Sequence, residues 1–151
     1  MLGMMKGKRI EANSSTPRKA TDIIKNGVAD NPDINAIASK DASSIGIMVW
    51  NYHDDDVLTA SSPVTVTISG LTQKKILLTH YRIDQQYSNS FEAWKKMGKP
   101  QTVSTEQYKE LEKAGQLEMI SSPEWIETTN GKTTIHFNLP RQGVSLIRLT
   151  W

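Results

Sequence analysis

The stretch HYRIDQQYSNSFEAWKKMGKPQ (His80–Gln101) decides how this chain is organised, because a β-strand pattern changes into a helix pattern within it. The strand that leads into it, Lys75–Asp84, places Leu77, Thr79, Tyr81 and Ile83 on one face. Its other face begins apolar and then becomes polar, with His80, Arg82 and Asp84 in succession. The stretch therefore predicts a strand that leaves the sheet through a polar corner and enters a helix.

Two short helices follow, and both carry capping signals. Asn89 is placed to cap the first helix, with Glu92 three residues later, and Gly98 ends it. We expect Phe91, Trp94 and Met97 to share one inward side of this helix.

The second helix begins at Ser104, where Gln107 completes a capping box, and it ends at Gly115. Tyr108, Leu111 and Ala114 form its apolar stripe. Together the two helices predict a short α-helical hairpin inserted at about 88–115.

The rest of the chain is rich in strand patterns. Residues 45–53 are apolar on both faces, which is typical of a central strand, and residues 64–69 alternate cleanly. Asn130-Gly131 predicts a hairpin turn between two strands, and residues 143–151 form a last strand. Residues 13–22 are a polar connection, and 26–33 carry turn residues. About seven or eight strands predict a mainly β fold, an antiparallel β-sandwich with the inserted helical hairpin.

Composition excludes several classes of protein. The 151 residues suit one domain, and the absence of cysteine excludes disulfides and zinc–thiolate sites. The formal net charge is +2 with scattered basic residues, so we expect no nucleic-acid partner. No apolar run is long enough for a membrane helix, so we expect a soluble protein without a membrane partner. The sequence does not distinguish a cytoplasmic from a periplasmic location.

No motif in the sequence indicates a catalytic or metal site. His53, His80 and His136 lie in different elements without metal-ligand spacing, so we expect no metal and no cofactor. The acidic run Asp54–Asp56 lacks the ligand spacing of a calcium loop and is interpreted as a solvated turn. The nucleophile and phosphate-loop motifs are absent as well, and most glutamates fall on the helices.

Five residues remain as candidates for binding. His80, Arg82, Asp84 and Asn89 form either a hydrogen-bonded corner that sets the strand-to-helix angle, or a loop that reaches a cleft rim or a neighbouring subunit. Alternation places the first three on one face, which favours the corner. Trp125 is the candidate for a sugar-stacking platform, whereas core packing is the expectation for the other tryptophans.

Four segments together resemble a known family of enzymes. They are VWNYHDDD (49–56), LTHYRIDQQYSNSFEAWKKMGKPQ (78–101), QYKELEKAGQLE (107–118) and LPRQGVSLIRLTW (139–151). In order and spacing they resemble the C-terminal part of family 39 glycoside hydrolases, and more closely the bacterial β-xylosidases of that family. A weaker likeness to the α-L-iduronidases rests on Trp94, Gly98 and Pro100.

The resemblance implies an upstream (β/α)₈ catalytic barrel that these residues do not include. Residues 1–6 would be the end of that barrel, and residues 7–151 an accessory β-sandwich domain. Family members use two glutamates in a retaining mechanism, and the acid/base glutamate follows an asparagine. The chain has no Asn-Glu dipeptide, so no catalytic residue is carried over to it.

Three functions are therefore weighed. The leading one is a non-catalytic C-terminal domain of a retaining β-xylosidase, with the barrel of the same protein as its partner. The parent would hydrolyse β-1,4-linked xylose from xylo-oligosaccharides in xylan degradation, while the isolated chain is expected to be inactive. The alternatives are a free-standing carbohydrate-binding or interaction module and a complete small enzyme. A cluster of exposed aromatic side chains on one sheet face would favour the binding module, and the oligomeric state stays open.

Overall fold

The computed structural model describes residues 1–15, 17–29, 31–55, 57 and 59–151. Within them the strands are β1 (Lys8–Ile10), β2 (Asp33–Lys40), β3 (Ser44–Tyr52), β4 (Ser62–Ser69), β5 (Lys75–Ile83), β6 (Glu118–Met119), β7 (Glu124–Glu127), β8 (Lys132–Leu139) and β9 (Val144–Thr150). The helices are α1 (Ala20–Asn26), α2 (Ser90–Lys96) and α3 (Thr105–Ala114), and a single 3₁₀ turn spans Leu2–Met4.

The strands form two antiparallel sheets of unequal size. The large sheet has the order β1-β2-β3-β9-β5, and both β6 and β7 pair with β5 at its outer edge. The small sheet consists of β4 and β8. Helices α2 and α3 lie between β5 and β6 in the chain. The predicted antiparallel β-sandwich with an inserted helical hairpin is thus confirmed.

The core lies between the two sheets. Directly paired residues of neighbouring strands share a face, so Ile45 of β3, Leu149 of β9 and Leu78 of β5 form one row of the inner face of the large sheet. All three are buried, as are Val64 and Ile68 of the small sheet. Burying each such aliphatic side chain contributes roughly 1.5–3 kcal/mol. The alternation predicted for residues 64–69 and the central position of residues 45–53 are both confirmed.

The caps of the helical hairpin match their prediction, but the apolar sides do not. Asn89 accepts from the backbone N–H groups of α2, and Ser104 and Gln107 form the capping box of α3. The prediction that Phe91 faces inward is wrong, since 57% of it is exposed, and Tyr108 of the α3 stripe is 60% exposed. The two helices pack chiefly against each other, so the sheet does not cover these rings.

The turn at Asn130-Gly131 forms, but the hairpin predicted around it does not extend. Both residues have positive φ, and Thr129 and Lys132 exchange two backbone hydrogen bonds of 2.9 and 3.0 Å. Beyond this pair the strands separate, because β7 joins β5 in the large sheet and β8 joins β4 in the small one. The turn is therefore a corner between the sheets.

Helix α1 and the strands β2 and β6 have no counterpart among the predictions. Helix α1 begins within the connection predicted for residues 13–22, and β2 pairs along its whole length with β3. These segments carry no strong local signal, so contacts with the rest of the fold determine their secondary structure. No helix in the described ranges has the length and apolar character needed to span a bilayer.

Replacing Gly131 with alanine should destabilise the fold more than the same change at Gly70. Both glycines have positive φ, which costs an alanine about 1–2 kcal/mol. At Gly131 a Cβ would also lie 2.9 Å from the Leu71 carbonyl oxygen, whereas at Gly70 nothing lies within 4 Å. We expect Gly131→Ala to lower the free energy of unfolding in urea by at least about 1 kcal/mol more than Gly70→Ala. Equal losses would contradict a tight corner at this turn.

Candidate functional site

One end of the sandwich interior is polar. Along the inner face of β5, the apolar residues Ile76 and Leu78 are followed by His80 and Arg82, and Asp84 comes directly after the strand. Ser145 of β9 lies opposite Arg82 in the sheet. We call His80, Arg82, Asp84 and Ser145 the polar corner. All four side chains are buried, and Arg82 is only 5% exposed.

Arg82 holds the polar corner together by hydrogen bonds to three partners. Its Nε donates to Ser145 Oγ at 2.9 Å, and Nη1 pairs with Asp84 Oδ2 at 3.3 Å. Its Nη2 donates to the carbonyl oxygen of Asn138 in the small sheet at 3.1 Å. The guanidinium therefore ties the two sheets to each other, and its buried charge is matched by the carboxylate of Asp84.

His80 completes the polar corner as a neutral group. Its Nε2 lies 2.9 Å from Ser145 Oγ, and its ring contacts Phe137 of β8 edge-on, with centroids 4.8 Å apart. Burial, and after it the neighbouring Arg82 cation, lowers the pKa of His80 to about 4. At neutral pH the ring therefore carries no charge, and it does not compete with Arg82 for Asp84.

Asp84 and Asn89 connect the polar corner to the turn that leads into α2. Asp84 Oδ1 accepts from the backbone N–H groups of Gln86 and Tyr87 at 2.7 and 3.0 Å. Asn89 donates from Nδ2 to the Asp84 carbonyl oxygen at 2.9 Å and caps α2 through Oδ1. Together these hydrogen bonds fix the angle between β5 and α2.

The structure brings four of the five candidate residues together and leaves the fifth elsewhere. His80, Arg82, Asp84 and Asn89 meet in one hydrogen-bonded unit, as the alternation along the strand suggested. Their burial fits a corner that positions the backbone rather than a loop that offers side chains to a ligand. Trp125 lies on β7, opposite Leu77, on the other face of the large sheet.

The face of the large sheet that points away from the small sheet carries large apolar side chains among polar ones such as Asp33, Thr79 and Arg148. We use the name outer face for the apolar residues that the strand register places on this side. They are Ile37, Met48, Trp50, Leu77, Tyr81, Ile83, Met119, Trp125 and Leu146. Met119 and Trp125 are 46% and 65% exposed. Met5, after the 3₁₀ turn, also reaches this side, where its Cγ lies against Gly46. Sequence reasoning missed the outer face because it left β2, β6 and the pairing of β7 unassigned.

The other tryptophans are each held by a hydrogen bond from the indole N–H. Trp50 donates to Asp33 Oδ2 at 3.2 Å, and Trp94 donates to the Pro100 carbonyl oxygen at 3.0 Å. Trp151 donates to the Ala42 carbonyl oxygen at 3.1 Å. Trp94 also stacks on Phe91, with ring centroids 5.5 Å apart. These three rings are partly buried, so Trp125 differs from them in its exposure.

The acidic run after β3 is bound internally. Asp54 accepts a hydrogen bond from the Tyr52 hydroxyl at 2.7 Å, which lowers the pKa of Asp54 and raises the pKa of Tyr52. Asp55 pairs with Arg141, and Asp56 lies outside the described residues. Among the residues that are described, no three histidine, cysteine or acidic side chains are grouped for a metal ion.

Comparison with known proteins gives the family. Residues 1–129 match the sequence profile of glycosyl hydrolases family 39, so the chain belongs to that family. No curated protein sequence matches it significantly. The fold is similar to that of a monomeric β-xylosidase from Caulobacter crescentus CB15, at 19% identity and a TM-score of 0.66 over 76% of this chain and 26% of that one.

Two further structures share the fold. A family 39 enzyme from Xanthomonas axonopodis pv. citri is 14% identical, with a TM-score of 0.66 over 76% of this chain and 25% of its own. A bacterial orthologue of human α-L-iduronidase is 16% identical, with a TM-score of 0.59 over 79% and 22%. The chain thus spans about a quarter of the length of these proteins.

Removing the Arg82 side chain should strongly destabilise the chain. Arg82→Ala leaves the Asp84 carboxylate buried without its cation, which costs about 3 kcal/mol or more. Lys75→Ala is the matched control, because it breaks the exposed ion pair with Glu127, at 3.7 Å. We expect that control to change the free energy of unfolding in urea by less than about 1 kcal/mol. Unchanged stability in Arg82→Ala would show that the polar corner does not hold the sheets together.

His80 should make stability fall in mild acid. Its pKa is about 4 in the folded chain and near 6.5 when unfolded, so below pH 6.5 protons bind the unfolded chain preferentially. The stability that neutral His80 supplies is complete above pH 6.5 and decreases as the pH falls towards 4.

The measurement is the slope of unfolding free energy against pH in the variant His80→Gln. We expect a shallower slope between pH 6.5 and 4 than in the unaltered chain. Burial also lowers the pKa of His53, which adds to the same window in both proteins. His136→Gln is the control, since this exposed ring contacts only Thr65 among the bonds described. An unchanged slope in His80→Gln would contradict a neutral buried His80.

Proposed function

We propose that this chain is the non-catalytic C-terminal β-sandwich domain of a retaining family 39 glycosidase and packs against a (β/α)₈ barrel of the same protein through its outer face. The observation that carries the proposal is the outer face itself. Isolated apolar side chains are common on protein surfaces, but a contiguous apolar sheet face is typical of an interface. Met119 and Trp125 are its most exposed members.

The length of the similar structures supports a partner domain that is larger than this chain. This chain spans about a quarter of each similar structure, so a parent of comparable size would have some three quarters of its residues in other parts. The family resemblance gives the catalytic barrel as that other part. Residues 1–6 would continue from the barrel, and the contact of Met5 with the side of the sheet that carries the outer face agrees with this direction.

Three acidic side chains, Asp84, Glu92 and Glu106, are engaged in contacts within the chain. A retaining mechanism needs two carboxyl groups about 5 Å apart that both face the substrate. Asp84 is buried against Arg82 and two backbone N–H groups. Glu92 pairs with Lys95 at 2.6 Å on α2, and Glu106 accepts from Ser104 at the start of α3. Each of these three carboxylates already has a hydrogen-bond or ion-pair partner within the chain.

The parent is proposed to be a β-xylosidase that removes xylose from xylo-oligosaccharides, as part of xylan degradation. Two of the similar structures are described as β-xylosidases. In this proposal the sugar is bound entirely by the barrel, and the β-sandwich contributes the stability of the assembled protein.

Trp125 is the one feature that favours a carbohydrate-binding module instead. Its ring is exposed on a sheet face, as a sugar-stacking ring would be. On that face it pairs with the apolar Leu77, and its next neighbours by register are Lys75, Thr79 and Glu127. Lys75 and Glu127 pair with each other at 3.7 Å. Sugar recognition needs several polar groups beside the ring to bind hydroxyls. Because the charged groups beside Trp125 pair with each other and the ring packs along Leu77, we propose the protein partner ahead of the sugar.

Supplying a barrel should protect the outer face. The chain is mixed with a family 39 (β/α)₈ barrel made without its own β-sandwich, and hydroxyl-radical footprinting measures oxidation of the side chains. We expect oxidation of Met119 and Trp125 to fall several-fold on mixing, because both side chains become buried. Phe91 and Tyr108 are internal controls, because they are exposed on the helical hairpin.

Hydrolysis of a nitrophenyl β-xyloside is then measured on the same samples. The chain alone should show no turnover, and the barrel should be more active or more stable with the chain than without it. Met119→Lys combined with Trp125→Lys should abolish this effect, whereas Phe91→Lys combined with Tyr108→Lys should not. Turnover by the 151 residues alone would overturn the proposal. Binding of xylohexaose that Trp125→Ser abolishes would support the carbohydrate-binding module.

A further inference from the structure

A row of mostly polar residues crosses the side of the large sheet that carries the outer face. Apolar residues of the outer face lie on both sides of this row, because the neighbouring same-face positions along β5 are Leu77 and Tyr81. We call it the polar row. Its members stand side by side on five strands through direct pairing: Arg9 of β1, Ser39 of β2, Gly46 of β3, Arg148 of β9 and Thr79 of β5.

Arg148 lies in the middle of the sheet and has no partner for its guanidinium. Its strand, β9, has β3 on one side and β5 on the other. The side chain is partly buried, and its Nε is buried without a hydrogen bond. No acidic side chain among the described residues forms an ion pair with it. Arg148 differs in this from Arg82 and Arg141, which are paired with Asp84 and Asp55.

Docking on the outer face would remove the remaining water from Arg148. The outer face extends from Trp125 on β7 to Ile37 on β2, and Arg148 lies between them. A buried cation without a carboxylate is costly, because nothing replaces the water that it loses. A partner that covers this surface must therefore supply a group that binds the guanidinium.

We propose that the partner domain presents an acidic side chain that binds the guanidinium of Arg148 in the middle of the docked interface. This inference rests on the proposed function, because it takes the outer face to be the docking surface, and it adds the chemistry of the partner. A carboxylate fits the guanidinium in charge and in shape, since its two oxygens can accept two parallel N–H bonds. Arginines near the centre of an interface are often among the residues that contribute most to binding.

The charges on this side of the sheet favour an acidic partner over a second copy of the chain. Within the described strands, the register places two acidic side chains here, Asp33 and Glu127, and both already have partners in the chain. Arg9 and Arg148 have no ion pair among the described residues. A symmetric dimer would press this side against its own equivalent. It would bury both arginines without a free carboxylate to pair with them.

The first experiment removes the charge but keeps the length of the side chain. Arg148→Met is titrated with the family 39 barrel made without its own β-sandwich, and calorimetry gives the Kd. An ion pair predicts that Kd rises at least about tenfold, whereas a purely apolar contact predicts equal or tighter binding. Lys109→Met is the matched control, because Lys109 is exposed on α3, and should leave Kd within about twofold.

Urea unfolding of the isolated variants separates docking from folding. Arg148→Met should unfold at the same urea concentration as the unaltered chain or at a higher one, because no bond within the described residues is lost. A variant of unchanged stability that binds the barrel more weakly has lost a contact to the partner. A clearly lower midpoint would show that Arg148 serves the fold of the chain itself, and would overturn the proposal.

A cross-link tests whether the partner group is a carboxylate. Arg148→Lys places an amine at this position, and a carbodiimide joins an amine to a carboxylate within ion-pair distance. We expect mass spectrometry of the treated complex to find position 148 joined to one aspartate or glutamate of the barrel. Lys109 is the internal control in the same sample, and it should form no cross-link to the barrel.

The remaining outcomes separate this inference from barrel docking. Equal or tighter binding of Arg148→Met would overturn the inference and leave docking in place. Weaker binding without a cross-link from position 148 would indicate an uncharged acceptor and would overturn it too. A dimer of the chain that Arg148→Met abolishes would assign the surface to a second copy. Failure of the barrel to protect Met119 and Trp125 in the unaltered chain would overturn both proposals.

Discussion

The buried guanidinium of Arg82 is the interaction on which this sandwich depends. It contacts Ser145 of the neighbouring strand, the Asn138 carbonyl of the opposite sheet, and Asp84 at the turn into the helical hairpin. A buried cation is costly unless it is paired and fully hydrogen-bonded. The folded chain must therefore bring all of these partners together at once. The apolar rows further along the same strands supply most of the burial energy, while Arg82 fixes how the sheets meet.

The unequal size of the two sheets explains both unfilled surfaces of the molecule. A sheet of seven strands faces one of two, so the inner face remains partly open beside β4. On the outer face Leu146 is buried and Met5 lies against Gly46, whereas Met119 and Trp125 are exposed. A domain with such an outer face is suited to pack against another part of a longer protein. This is the basis of the docking proposal for this member of family 39.

Local features of the structure were largely predictable from the sequence. The alternation in Lys75–Asp84 placed His80, Arg82 and Asp84 on one face, and the structure joins them there. The caps at Asn89 and Ser104 were also predicted, because a capping side chain bonds to backbone only two or three residues away. Ser145, the partner of both His80 and Arg82, could not be predicted, since it is more than 60 residues distant in the chain.

By itself the sequence determined where the chain turns and which strand faces are apolar, because backbone conformation and side-chain alternation are set by near neighbours. Asn130-Gly131 forms its turn for this reason. Only the tertiary structure decided that the strands on either side of the turn separate, with Trp125 beside Leu77 in one sheet and Ile135 beside Val66 in the other. Strand partners are chosen by packing and pairing across long stretches of chain. The exposure of Trp125, and with it the outer face, follows from that choice.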